Sequence, residues 1–357
     1  MISRYLPIGR FFLWMLWLVP VSFAVALSSQ NQTMIFLLSI AAIIPLSRAI
    51  GFAAEQIALQ TNPTIGGLMS ATFGNAIELI IAVFALKAGL IEVVKASIVG
   101  SIIGNILMLI GLSVFFGGLK YKEQQFNKDA AGVSSTMLII AVIGLSIPTI
   151  YSITVKNFPM HVQLLSNAVA VVLAGIYVAG LIFSLYTHKH LFDAADGLQA
   201  SHIPIRVTKP QAGVVLAVAT FFAALEAEFV VHCVESAGRD LGLSQTFIGV
   251  VVIAMISNIA ENSNAIQFAV QNNLDLSIEI GTSSATQNAL FVVPILMLIS
   301  GIFGLGFTLI FSLFEIIAVL FAVMIVNYLS SDGRCNWLEG AQLITVYLIL
   351  SIAFYFI

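Results

Sequence analysis

Apolar residues follow one another along most of this chain in segments of about 20 residues, separated by short polar stretches. A helix of that length crosses the roughly 30 Å hydrocarbon core of a bilayer. The pattern therefore predicts an all-α polytopic membrane protein. We place eleven transmembrane helices at residues 11–28, 34–54, 65–88, 93–118, 132–154, 161–187, 211–233, 247–271, 277–302, 305–329 and 338–357.

The composition supports a membrane protein and excludes several other classes. Hydrophobic residues make up 60% of the chain and charged residues only 9%, whereas soluble domains have about 25% charged residues. The sequence has no basic run that would indicate nucleic-acid binding, and its two cysteines, Cys233 and Cys335, do not suggest a disulfide framework. Arg4 and Arg10 precede the first apolar run as in a signal peptide, but the run is long enough to span, and we interpret it as a retained helix.

The distribution of basic residues predicts the orientation in the membrane. With eleven spans, ten of the fourteen Lys and Arg residues fall on the side of the N-terminus. Because cytoplasmic loops carry the excess of basic residues, we expect the N-terminus and the longest connection, residues 188–210, in the cytoplasm. The short loops and compact length favour a prokaryotic plasma membrane over a vacuolar membrane. The sequence leaves open whether the protein forms a homo-oligomer.

Two parts of the chain resemble each other at a constant offset of 183 residues. Residues 65–107 align without a gap to residues 248–290, and the identical pairs include Asn75/Asn258, Glu78/Glu261, Ser101/Ser284 and Asn105/Asn288. Apolar bias alone does not supply such polar matches. We therefore predict a first helix (1–30), a five-helix repeat (31–187), a cytoplasmic link (188–210) and a second five-helix repeat (211–357). Because five is odd, the second repeat is inverted, as in many secondary transporters.

The paired polar residues form the candidate binding site. A carboxylate at the centre of a bilayer costs about 2.5–3.5 kcal/mol on insertion scales, so such residues are usually functional. Asn75 and Glu78 are three residues apart and share a helix face, and so are Asn258 and Glu261. The following segments add further polar side chains. The candidate metal ligands are Asn75, Glu78, Ser101, Asn105, Asn258, Glu261, Ser284, Gln287 and Asn288.

The donor types in this set favour Ca²⁺ as the transported substrate and require no cofactor. All are oxygen donors of the kind that Ca²⁺ takes six to eight at a time, and none is the His or Cys that Zn²⁺ would recruit. Two glutamates neutralise one divalent cation. Burial and like charge favour their protonated forms when the site is empty. Glu78 and Glu261 would then hold protons or Ca²⁺ but not both, which couples the two ions.

The sequence also resembles a known transporter family at these residues. The segment "GNAIELIIA" resembles the first signature of the Ca²⁺/H⁺ antiporter family within the cation/Ca²⁺ exchanger superfamily, and "SATQNALFVVP" resembles the segment that follows its second signature. The resemblance covers nearly the whole chain. It implies a one-plus-five-plus-five layout of helices and Ca²⁺ export against proton entry. It also implies that Glu78 and Glu261 are the central ligands, and that Gln287 rather than Asn288 matches the family's polar position.

Two departures from the family pattern keep alternatives open. The second signature usually reads Gly-Asn-Ala-x-Glu-His, but here Ser257 replaces Gly and Asn262 replaces His. Asn262 cannot titrate, so any proton role of that His is absent. The central link also has few acidic residues. A Na⁺-coupled exchanger, or an exchanger of another divalent cation, is the main alternative. A passive cation channel is less favoured, and no constellation of a nucleophile and its base suggests an enzyme.

Overall fold

The computed structural model describes residues 8–61, 63–155, 159–188 and 205–357. Within these ranges the protein is built of helices, with one two-stranded antiparallel sheet. In chain order the α-helices are α1 (Arg10–Met15), α2 (Leu18–Ser28), α3 (Gln32–Ala58), α4 (Pro63–Gly74), α5 (Ala76–Lys87), α6 (Ile91–Ile103), α7 (Ile110–Lys120), α8 (Lys128–Thr154), α9 (Pro159–Ile182), α10 (Lys209–Leu241), α11 (Gln245–Phe247), α12 (Ala254–Ser257), α13 (Ile259–Val270), α14 (Leu274–Gln287), α15 (Val293–Phe303), α16 (Leu313–Leu329) and α17 (Trp337–Tyr355).

Short π-helical segments and the small sheet complete the secondary structure. The π-helical segments are Gly104–Leu109, Phe183–Thr187, Ile248–Ile253 and Asn288–Val292. Strand β1 (Gln124–Gln125) pairs with β2 (Arg334–Cys335), with Gln124 opposite Cys335. Three of the π-helical segments continue directly into an α-helix, so a long helix passes through the π-helical turn without stopping.

The prediction of an all-α polytopic membrane protein is confirmed. Among the described residues, eight helices are long and apolar enough to cross a membrane. A ninth span is obtained if the bent pair Gln245–Ser257 and Ile259–Val270 counts as one. Large apolar side chains such as those of Trp14, Leu298 and Ile302 are exposed on these helices, as expected where helices face lipid rather than water.

Three of the eleven predicted spans differ from a single long helix. The predicted span 247–271 is broken at Asn258, between α12 and α13. The predicted span 65–88 is divided into α4 and α5 by a break at Asn75. The predicted span 305–329 is helical only from Leu313, because residues 305–312 are not helical. In all three places the apolar composition is compatible with crossing a membrane, but composition alone does not indicate a break in the backbone.

The contacts divide the chain into two compact units. The first comprises Met1–Ser97, Asp196–Ala260 and Ile357, and the second comprises Ile98–Ala195 and Glu261–Phe356. These units describe contacts rather than sequence similarity, so the boundaries of the predicted repeats stay a prediction. The predicted link at 188–210 falls mostly on residues 189–204, which lie outside the described residues.

The first unit is organised by α3 and α10, which pack along their length. At one end, the backbone nitrogen of Arg206 donates to Oε1 of Gln56 at 2.7 Å. At the other end, the hydroxyl of Thr33 donates to the Asp240 carboxylate. The long helix α10 begins at a capping box formed by Thr208 and ends at a left-handed Gly242, as expected for helix termini.

The second unit contains a close contact between α7 and α17. A Cβ atom added at Gly340 would lie 2.3 Å from the backbone nitrogen of Phe115, and one added at Gly118 would lie 2.4 Å from that of Trp337. Only glycine permits this distance between backbones. Small residues at helix contacts are typical of membrane proteins, in which packing rather than the hydrophobic effect brings helices together.

An extended segment, residues 305–312, connects α15 to α16 in the second unit. Gly304 and Gly306 have positive φ angles of 66° and 70° and end the preceding helix. The segment is apolar, and its side chains at 307, 309 and 311 are buried. Its backbone nitrogens at these three positions donate to hydroxyl groups of Ser300 (2.8 Å), Ser166 (3.2 Å) and Thr149 (2.9 Å), respectively. Side-chain hydroxyls therefore replace the hydrogen bonds that a helix would have supplied.

Candidate cation-binding site

A break in a helix at an asparagine occurs at matching places in the two similar sequences. Asn75 has φ −100° and ψ 22°, and Asn258 has φ −93° and ψ 4°. Both conformations lie outside the α-helical range. The second break bends the chain by 57°. The prediction that Asn75 and Glu78 lie within one continuous helix is therefore wrong, and the same holds for Asn258 and Glu261, because each Asn lies at the break itself.

Each break places a glutamate in the first turn of the following helix. Glu78 lies in the first turn of α5 and Glu261 in the first turn of α13. The N-terminus of a helix has unpaired backbone N–H groups and a partial positive charge. Such an end stabilises a carboxylate by up to about 2 kcal/mol when partly buried. The break thus offsets part of the cost of a negative charge at this depth.

The first unit holds Asn75, Glu78 and Asn258 in its interior. Glu78 is only 8% exposed, and among the described residues neither of its carboxylate oxygens has a hydrogen-bond partner of standard geometry. The side chain of Ser257, which precedes the break, lies next to this carboxyl group. The amide nitrogen of Asn258 donates to the backbone oxygen of Ala254 at 2.9 Å. That bond occupies a carbonyl group near the break.

The second unit brings Asn105 and Ser284 into direct contact. The amide nitrogen of Asn105 donates to Oγ of Ser284 at 2.8 Å, and both side chains are buried. The amide oxygen of Asn105 has no hydrogen-bond partner among the described residues. The contact is close because a Cβ at Gly281, one turn before Ser284, would lie 2.9 Å from the backbone oxygen of Asn105. The pairing fixes the amide of Asn105, so that its oxygen, an acceptor, remains available.

The other candidate ligands of the second unit lie on the same segments. Ser101 and Asn288 are buried, and Gln287 is half-buried and donates to Oγ of Ser283 at 3.0 Å. Asn105 and Asn288 lie in π-helical segments at corresponding places. Such turns are frequent at functional sites because they leave backbone groups outside the regular ladder. Glu261 is half-buried at the start of α13.

Three further polar residues lie beside candidate ligands, in space or in sequence, although the sequence analysis did not select them as ligands. Ser257 lies next to Glu78, and Ser283 accepts the hydrogen bond from Gln287. Asn262 is 7% exposed, and its amide oxygen has no hydrogen-bond partner among the described residues. Ser257 and Asn262 carry a sequence signal, since they are the two residues at which the second signature departs from the family pattern. Ser283 carries none, because a serine in an apolar helix is most often a packing residue.

The described contacts therefore group the nine predicted ligands into two sets. One set lies in the first unit and consists of Asn75, Glu78 and Asn258; the other lies in the second unit and consists of Ser101, Asn105, Glu261, Ser284, Gln287 and Asn288. Each set contains one carboxylate and at least two neutral oxygen donors. The assignment of these side chains as ligands stays a prediction.

Comparison with known proteins points to one family. Residues 31–186 and 212–356 match the family described as sodium/calcium exchanger protein. The chain is 42% identical to a Ca²⁺/H⁺ antiporter of Synechocystis sp. over 98% of both chains, and 38% identical to the Ca²⁺/H⁺ antiporter ChaA of Bacillus subtilis over 94% of this chain and 96% of that one. It is also similar to the solved structure of native YfkE, with a TM-score of 0.84 and 36% identity over 97% of this chain and 100% of that one.

Proposed function

The chain belongs to the sodium/calcium exchanger protein family, and from that premise we propose that it is an antiporter that exports Ca²⁺ in exchange for H⁺. The relatives at 38–42% identity are named Ca²⁺/H⁺ antiporters and align over almost their entire length. The family consists of transporters, so a membrane-embedded enzyme is not favoured.

The arrangement of broken helices supports the proposed role of Glu78 and Glu261 most strongly. Each glutamate follows an asparagine break and lies at a helix N-terminus. Binding sites in secondary transporters are typically formed by such discontinuous helices near the middle of the membrane. Two carboxylates supply the charge that balances one Ca²⁺, and the amide and hydroxyl oxygens of the remaining candidate ligands complete its coordination.

Exchange follows from competition between Ca²⁺ and protons for the same oxygens. A carboxylate that binds Ca²⁺ must lose its proton, and a protonated carboxyl group is a poor ligand. Glu78 and Glu261 therefore return protonated after Ca²⁺ has been released on the other side. A passive channel does not need a site that is alternately loaded with two ions. Coupling to Na⁺ instead of H⁺ is an outcome that the experiment below distinguishes.

We further propose an N-terminus in the cytoplasm and two inverted five-helix repeats at 31–187 and 211–357. The excess of basic residues on the N-terminal side supports the orientation. The family match in two segments, 31–186 and 212–356, supports the repeats. The bacterial relatives support a prokaryotic plasma membrane.

The experiment measures uptake of radioactive Ca²⁺ into inverted membrane vesicles with a pH gradient or a Na⁺ gradient imposed separately. We expect a pH gradient without Na⁺ to drive uptake. Glu78→Gln and Glu261→Gln should each abolish it, because each removes one of two balancing charges. Glu123→Gln is the matched control, because Glu123 is exposed and pairs with Arg334 at 3.4 Å outside the candidate site. Uptake that requires Na⁺ and ignores pH would contradict proton coupling, and near-normal uptake by Glu261→Gln would contradict the site.

A further inference from the structure

Another buried carboxyl group, that of Glu226, lies in the first unit outside the candidate ligand set. It occupies the middle of α10, a helix of 33 residues, and is 0% exposed. At 1.5 Å per residue it lies more than about 20 Å along the helix from either end. The repeat alignment gives Glu226 no counterpart, so sequence comparison within the chain did not select it. An ionisable group in the middle of a membrane-spanning helix is usually paired with another polar group.

Two serines from neighbouring helices surround this carboxyl group. Oγ of Ser22, on α2, lies in hydrogen-bond contact with Oε1 of Glu226 and 2.7 Å from the backbone oxygen of Val19. The side chain of Ser39, on α3, faces the carboxyl group as well. Ser22 and Ser39 are both fully buried. Oε2 of Glu226 has no hydrogen-bond partner of standard geometry among the described residues.

The number of protons available in this contact indicates whether the carboxyl group of Glu226 is neutral or charged. Ser22 has one hydroxyl proton and two oxygen neighbours, the Val19 carbonyl and the Glu226 carboxyl group. A backbone carbonyl can only accept. When the hydroxyl of Ser22 donates to Val19, the second hydrogen bond needs a proton from the carboxyl group of Glu226. A neutral glutamic acid satisfies both bonds at once, whereas a carboxylate competes with Val19 for the one proton.

The charged groups on the surrounding helices do not substitute for that proton. The helices α2, α3, α5 and α11 pack against α10. Of these, α2 and α11 contain no titratable residue, whereas α3 carries Arg48 and Glu55, and α5 carries Glu78 and Lys87. Arg48 lies nine residues beyond Ser39, about 13 Å along the helix axis. Among the described residues, the side chains that lie against the carboxyl group of Glu226 are those of Ser22 and Ser39.

We propose that Glu226 is a proton-binding site separate from the candidate Ca²⁺ ligands, in which the neutral acid donates a hydrogen bond to Ser22 and thereby attaches the first membrane helix to α10. Loss of this proton leaves a carboxylate among three apolar helices. The attachment of α2 then weakens because the buried charge has only hydroxyl groups to solvate it. The site binds a proton but not Ca²⁺, since it provides a single carboxyl group and two hydroxyls.

Infrared spectroscopy of the purified full-length protein tests the protonation directly. At neutral pH the wild type should show the carbonyl stretch of a buried carboxylic acid that persists in saturating Ca²⁺ and is missing in Glu226→Gln. Ser22→Ala should shift this band, because it removes the hydrogen-bond partner while keeping the acid. The exposed Glu123→Gln is the control and should leave the band unchanged. Identical spectra for the wild type and Ser22→Ala would overturn the proposal even if Glu226→Gln failed to fold.

Hydrogen exchange tests the attachment of the first helix. After correction for the intrinsic pH dependence of exchange, the backbone amides of α2 should exchange faster at alkaline pH in the wild type but not in Glu226→Gln, whose side chain cannot lose a proton. The same pH dependence in both proteins would overturn the proposed link between protonation and attachment. Neither measurement requires transport, so both are independent of the proposed antiport.

Discussion

Replacing Ser284 by Ala tests whether the contact between Asn105 and Ser284 shapes the binding site. The substitution removes the acceptor, at 2.8 Å, of the Asn105 amide nitrogen, and that side chain is 0% exposed. A hydrogen bond of this kind contributes about 0.5–1.5 kcal/mol, and a buried donor without a partner costs about 1–3 kcal/mol. Part of this cost should appear as weaker Ca²⁺ binding, because the Asn105 amide oxygen loses its fixed orientation.

The expected magnitude follows from the affinity scale. A loss of about 1–2 kcal/mol weakens the apparent Ca²⁺ affinity by about 5–30-fold. That is less than the complete loss expected for Glu78→Gln, since Ser284 orients the Asn105 amide and carries no charge that balances Ca²⁺. The matched control is Thr345→Val, which removes an exposed hydroxyl that bonds only to its own helix at Ala341 and should change the affinity less than about twofold.

A double-mutant cycle gives the decisive assay. The apparent Ca²⁺ affinity is measured for the wild type, Asn105→Ala, Ser284→Ala and the double mutant. Side chains in direct contact show interaction energies of about 0.5–3 kcal/mol, so the second substitution should cost much less once the first is present. Fully additive effects, or single mutants as inactive as Glu78→Gln while still folded, would show that the contact does not orient the Asn105 oxygen for Ca²⁺ binding.

Two further predictions concern stability and pH. Thr149→Val should lower the apparent midpoint of thermal unfolding by several degrees, because the Thr149 hydroxyl accepts from the nitrogen of Phe311 and donates to the oxygen of Leu309, and each buried backbone group left without a partner costs about 1–3 kcal/mol. The control Thr154→Val, which removes an exposed hydroxyl bonded within its own helix, should leave the midpoint unchanged. A midpoint for Thr149→Val equal to that of the wild type would contradict the role of the hydroxyl. A thiol-reactive dye can report unfolding, since burial raises the pKa of the Cys335 thiol and keeps it unreactive in the folded state. Asn262→His should shift the pH optimum of Ca²⁺ uptake without creating the activity, and uptake found only in the variant would show that the carboxylates alone do not suffice.

The sequence allowed much of the fold to be predicted because the bilayer restricts the choices. A membrane-spanning segment must satisfy its own backbone hydrogen bonds, so long apolar runs become helices. The extended segment 305–312 escaped prediction because it is equally apolar. Its hydrogen bonds come from Thr149, Ser166 and Ser300. A local sequence pattern does not indicate hydrogen-bond partners that are distant in the chain.

The sequence allowed the candidate ligands to be selected but did not allow their geometry to be predicted. The repeated Asn and Glu residues stand out because polar residues are rare at that depth. The breaks at Asn75 and Asn258 were not predicted, since Asn is tolerated within helices and the flanking residues continue the apolar pattern. The contact between Asn105 and Ser284 joins residues from the two similar sequences, and a pairing of that kind depends on tertiary packing. Glu226 was missed because it has no partner in the repeat alignment.

In the proposed exchange Ca²⁺ and protons compete for Glu78 and Glu261, so the number of protons released on Ca²⁺ binding measures this competition. Calorimetric titration of the purified protein in buffers of different ionisation enthalpy gives this number. We expect wild-type protein to release protons when Ca²⁺ binds, approaching two per Ca²⁺ at the acidic end of the range in which binding is measurable. Release should fall towards zero as the pH rises and both carboxyl groups ionise beforehand. If Ca²⁺ binds without releasing protons at any pH, the two ions do not compete for these carboxyl groups.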